Sequence, residues 1–183
     1  PAILRTNSYG SILQSLRSTY EIVEYQPLHY INLHRLEAGG VGRERLQDYC
    51  GEVAKRYEPG QFFTLGSLRA NGFSHPLDDL GFDDWFYSSL LAEDREHFTY
   101  QRIGGTRLFR RGTERAMMGD MLTWLLNREQ KMDLYDLIDL LKDHFGIRLP
   151  KEKVMEIIRG TDLYYDTIME AVYIDYDTYF EEI

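Results

Sequence analysis

The sequence predicts a mainly α-helical protein with small β-hairpins, and three observations carry that expectation. Apolar residues recur at helical spacing along much of the 183-residue chain, Gly and Pro interrupt those runs at short intervals, and one order of elements occurs twice. Apolar residues make up 43% of the chain and aromatic residues 14%, enough for a buried core in one domain or in two small ones.

In residues 9 to 25, Ile12, Leu13, Leu16, Tyr20 and Val23 fall at spacings of three and four and predict an amphipathic helix that Pro27 ends. Residues 28 to 38 hold Leu28, Ile31, Leu33 and Leu36, which suit a short helix or a strand, and Gly39-Gly40 closes this connector. From Gly42 to Tyr57, Leu46, Tyr49, Cys50, Val53, Ala54 and Tyr57 form one helical face, and Pro59-Gly60 stops it. Gln61 to Thr64 has room for a single short strand. Thr64 can then cap a helix from Leu65 to Asn71 that Gly72 ends. A third helix starts near Pro76 or Asp83 and runs to about Ala92 on Leu80, Trp85, Phe86, Ser89 and Leu90. Phe98 to Arg111 alternates on both sides of Gly104-Gly105, where a tight turn needs positive φ, and reads as a hairpin.

The second half follows the same order. A helix is predicted from Arg115 to Asn127 on Met117, Met118, Met121, Leu122, Leu125 and Leu126, then a short strand at Lys131-Met132. Asp133 caps a helix from Leu134 to Phe145, Gly146 ends it, and Pro150 opens another that runs to Arg159. Gly160 closes that helix and a second hairpin spans Leu163 to Asp175. Thr64-Leu-Gly-Ser-Leu68 and Asp133-Leu-Tyr-Asp-Leu137 share one register, a capping residue followed by leucines, 69 residues apart. The predicted division is 1–39 as N-terminal helix and connector, 40–113 as a first unit and 114–183 as a second.

The two hairpins differ in charge. The whole chain carries a formal charge of -9, but residues 95 to 115 hold six Arg, two Glu and no Lys. Residues 161 to 183 hold seven Asp and Glu and neither Lys nor Arg, together with Tyr164, Tyr165, Tyr173, Tyr176 and Tyr179. Arg102, Arg107, Arg110 and Arg111 flank the Gly-Gly turn, and guanidinium forks match phosphate oxygens. The alternative is a solvated hairpin whose arginines pair with Asp78, Asp79, Asp83 and Asp84. The tyrosines offer rigid area for a partner while the acids steer a basic one, or else they cover the core. The basic hairpin could also pair with the acidic half, within one molecule or across a dimer.

Helix, short strand, helix, helix, hairpin resembles the winged helix-turn-helix superfamily, here as tandem units after an N-terminal helix. The resemblance implies a wing lying along a nucleic-acid backbone and a recognition helix before it. Asp83 to Asp94 carries four acids and no base, which suits a groove poorly, whereas Lys151, Lys153 and Arg159 in the second copy are compatible with DNA. The expected nucleic-acid contacts are therefore Arg102, Arg107, Arg110, Arg111, Lys151 and Lys153, and the expected partner contacts are Tyr164, Tyr165, Tyr173 and Tyr176.

Nothing in the sequence asks for catalysis, a metal or a cofactor. The five histidines lack the spacing of a metal pair, one cysteine cannot build a zinc site, and Gly104-Gly105 lacks the Gly-Lys-Ser/Thr of a phosphate loop. Asp133, Asp136, Asp139 and Asp143 read as a cap and the solvated face of one helix. The single Cys50 places the chain in a reducing, cytoplasmic setting, no apolar run is long enough for a membrane span, and an initial Pro without Met suggests processing or excision from a longer chain. The expectation is a non-enzymatic, DNA-associated or transcription-related component that contacts the backbone of double-stranded DNA. The alternative is a protein-interaction or dimerisation module that uses the acidic, Tyr-rich end.

Overall fold

The computed structural model describes residues 7 to 182. In chain order it contains α1 (Asn7–Ser18), β1 (Ile22–Gln26), β2 (His29–Asn32), α2 (Leu33–Ala38), α3 (Arg43–Ala54), β3 (Phe62–Phe63), α4 (Leu65–Ala70) and a 3-10 turn (Pro76–Leu80). There follow α5 (Asp84–Glu93), β4 (Phe98–Ile103), β5 (Thr106–Arg111), α6 (Met118–Glu129), β6 (Lys131–Asp133), α7 (Leu134–Asp143), α8 (Lys151–Arg159), β7 (Tyr164–Asp166), β8 (Ala171–Tyr173) and α9 (Tyr176–Glu182). The chain is mainly helical with small antiparallel sheets. It forms two compact units, one of residues 7 to 58 with 73 to 98, the other of residues 59 to 72 with 99 to 182.

The first unit is built around α5, whose residues Phe86 to Ala92 are all buried and which packs on β1 and α3. The Tyr87 hydroxyl donates to the Leu77 carbonyl at 3.1 Å, and Tyr49 meets Phe73 edge to face with 5.6 Å between ring centres. Arg17 and Gln14 of α1 reach Glu93 at 2.6 and 3.0 Å and fix α1 to the end of α5. Tyr20 donates to the Leu90 carbonyl at 3.3 Å and lies 3.6 Å from Cys50 Sγ; burial pushes the Cys50 thiol up to about 12, so it is a neutral core group. The predicted helix over residues 9 to 25 stops at Ser18. Tyr20 takes a left-handed φ of 57°, and Ile22, Val23, Glu24 and Gln26 then pair with Asn32, Ile31, Tyr30 and His29 as a hairpin whose register shifts at Tyr25. The β-branched Ile22 and Val23 serve a strand as well as a helix, and Val23 keeps its inward position in either.

In the second unit two three-stranded sheets have one plan. The short strand before the capped helix is an edge, and the second hairpin strand lies in the middle, giving β3-β5-β4 and β6-β8-β7. Phe63 pairs with Phe109 in one sheet and Met132 with Val172 in the other. Thr64 caps α4 by accepting from Ser67 N at 3.1 Å, and Asp133 caps α7 by accepting from Tyr135 N at 2.7 Å. Thr64 also donates to the Phe145 carbonyl at 2.7 Å. Phe62 and Leu108 share a core with Met121, Leu122, Leu134, Leu137, Val154 and Val172, so the predicted boundary at 113 to 114 lies inside this unit. The turn at Gly104-Gly105 has positive φ at Gly104 only, 58°, as the first central position of a type II′ turn requires.

Candidate functional site

The central position of β5 decides what the basic hairpin can offer. β5 is hydrogen-bonded between β3 and β4, and Arg107, Leu108 and Phe109 are all buried in succession, so both faces of the strand are covered there. Arg107 is 6% exposed, with its guanidinium 5.9 Å from the centre of the Tyr100 ring. Arg110 stacks 5.3 Å above Phe62, donates to the Arg115 carbonyl at 3.2 Å, pairs with Glu114 and lies 3.7 Å from Asp120. Its Nε is buried with no protein partner among the described residues. Burial thus withdraws Arg107 from the phosphate contact expected of it, and pairing occupies Arg110. The carboxylates that pair with Arg110 are Glu114 and Asp120, which follow the hairpin. Arg102 stands exposed on the edge strand β4, and Arg111 is half-buried at the end of β5.

The two lysines expected on DNA are engaged as well. Lys151 donates to Glu170 at 2.5 Å and to the Tyr135 hydroxyl at 2.8 Å, and those two bonds, Glu170's first, hold its ammonium well above the usual lysine range. Lys153 pairs with Glu156, one turn on in α8, at 2.8 Å.

Of the four tyrosines expected to face a partner, one is exposed. Tyr173 is buried, Tyr164 and Tyr165 are half-buried, and Tyr176 stands out. Tyr165 packs on the core, and Tyr164 and Tyr173 are covered by α9, an element absent from the sequence-based expectation, which starts where Asp175 accepts from Thr178 N at 2.8 Å. It lays Tyr179 on the hairpin, with ring centres 4.5 Å from Tyr164 and 5.3 Å from Tyr173. At the tip of the same hairpin, Asp166 is buried and its Oδ1 accepts from Ile168 N at 2.7 Å and Met169 N at 3.1 Å. This Asx-type turn fixes the backbone while Ile168 and Met169 project at 89% and 62% exposure.

A third feature escaped the sequence reading. An open cleft of about 620 Å³ lies between α6, the Phe62 and Arg110 pair, and the turn from Gly160 to Asp162. Asp120, Thr123, Trp124 and Asn127 line it at i, i+3, i+4 and i+7, the polar face of α6 opposite its buried Met121, Leu122 and Leu126. That stripe was the available signal. Gly119 lets α6 approach the turn, since a Cβ there would sit 2.9 Å from the Thr161 methyl.

These features define a mainly α-helical chain with two similar small antiparallel sheets, a largely paired basic hairpin, an apolar tip and one polar cleft. Comparison with family models, with curated proteins and with solved structures finds no match to this chain. Among the described residues no helix is long and apolar enough to cross a membrane.

Proposed function

We propose that the chain is a non-enzymatic, tandem winged-helix protein that acts as a protein-interaction module through its acidic C-terminal half. The order of helix, short strand, helix, helix and hairpin recurs with one strand order in both copies, which supports the tandem winged-helix reading. The observation that carries the function is the tip of the second hairpin. Two large apolar side chains, Ile168 and Met169, stand in solvent on a turn that a buried carboxylate holds in shape. An ordered apolar tip flanked by acids suits the buried centre of a protein interface and offers a phosphate backbone no donor.

Contact with the backbone of double-stranded DNA, as in a transcription-related component, is the second reading. The exposure of Arg102 on an edge strand favours it, while the pairing of Arg110, Lys151 and Lys153 with carboxylates leaves it few donors. Affinity capture from native extracts separates the two. The double variant Ile168→Asp, Met169→Asp should lose proteins that the unaltered chain and Arg102→Glu both retain. An identical set from all three would sink the module reading.

A further inference from the structure

We infer that the cleft between α6 and the Gly160–Asp162 turn binds an arginine side chain of a basic segment in a partner protein. This deepens the module reading and rests on it, but it concerns another surface. The cleft presents acceptors. Asp120 is 55% exposed and Asp162 is exposed with no basic partner among the described residues. The Thr123 hydroxyl donates to the Gly119 carbonyl at 3.2 Å, which leaves its oxygen as an acceptor, whereas the Thr161 hydroxyl donates to the Ile158 carbonyl at 2.7 Å and already accepts from Leu163 N at 3.3 Å.

The one cation at the cleft does not change this. The terminal nitrogens of Arg110 face Glu114, Asp120 and the Arg115 carbonyl, and its Nε is enclosed. The cleft also meets the C-terminal end of α8, where backbone carbonyls add partial negative charge. Trp124 supplies the remaining wall, half-buried, with its ring centre 5.9 Å from that of Phe62. Two exposed carboxylates, the Thr123 hydroxyl oxygen and an indole face together select a planar, donor-rich cation. A guanidinium stacks on the indole and bridges a carboxylate, which an ammonium does less well. An anion would meet two carboxylates and no available guanidinium donor.

The chain contains two tryptophans, so Trp85→Phe makes Trp124 the sole indole reporter. The probe is a nine-residue Gly/Ser peptide with three arginines, titrated beside versions with lysine or glutamate in their place and beside inorganic phosphate. The arginine peptide should shift Trp124 emission and bind several-fold more tightly than the lysine peptide. The pair Asp120→Asn, Asp162→Asn should weaken it at least tenfold, while Asp136→Asn, Asp139→Asn on α7 should not. Equal loss in both pairs would reduce the effect to general acidity and overturn the site, as would equal binding of the glutamate peptide or of phosphate. Should Trp85→Phe fail to fold, the Trp124 indole N–H resonance of the unaltered chain gives the same readout. Peptide binding that survives Ile168→Asp, Met169→Asp separates this outcome from that of the hairpin tip.

Discussion

The hairpins β4–β5 and β7–β8 occupy the same place in two copies of one plan, yet they present opposite chemistry. Each puts its second strand in the middle of a three-stranded sheet. In the first, the middle strand carries arginines, and the sheet draws Arg107 inside while Arg110 is clamped by Glu114 and Asp120. In the second, the middle strand is apolar, and the exposed chemistry moves to the tip, where Ile168 and Met169 project. A count of charges along a strand therefore does not measure the charge offered to a partner. What decides is whether the face a side chain points to is covered, and where the nearest carboxylate lies.

The comparison breaks most readily through the core. Phe109 is fully buried and stacks on Phe63 at 5.3 Å, so Phe109→Ala should cost about 3–5 kcal/mol in urea unfolding. The exposed Ile168→Ala should stay within about 0.5 kcal/mol. Similar losses for both would mean that the second tip is packed against something. A smaller effect separates the two turns. Asp166→Ala leaves the Ile168 and Met169 amides without their acceptor and should cost about 1–3 kcal/mol while speeding amide exchange at the tip. The first turn is set by the φ of Gly104, so its exchange should not change.

The repeated plan was legible because its signals are local. Thr64 and Asp133 announce helix starts in one register, and Gly and Pro mark the ends of α3, α4, α7 and α8. The strand β1 was not legible, since Val23 falls on an inward position of a helix as well as of a strand and the left-handed break at Tyr20 uses a residue with no turn signature. The helix α9 begins just past the hairpin assigned to Leu163–Asp175 and was not legible, since Tyr173, Tyr176 and Tyr179 read as one tyrosine-rich surface, although Asp175 is a competent cap. For the site, residue types were legible and availability was not. The fate of Arg107 depends on what covers its face of β5 and that of Arg110 on Glu114 and on Asp120 in the next helix, which single-sequence patterning does not reveal. The cleft could have been found from the polar stripe on α6, but the turn that closes it comes 40 residues later in the chain.

The central claim, that the basic residues expected on DNA are withdrawn from it, Arg107 by burial and Arg110 and Lys151 by the protein's own carboxylates, is tested most directly by titrating the intact chain against mixed-sequence duplex DNA over a range of salt. Weak binding, with a salt slope that Arg110→Ala and Lys151→Ala leave unchanged, is the predicted result. Tight binding at low salt, with a slope that falls by about one for each of these substitutions, would place the side chains on phosphates and contradict the account.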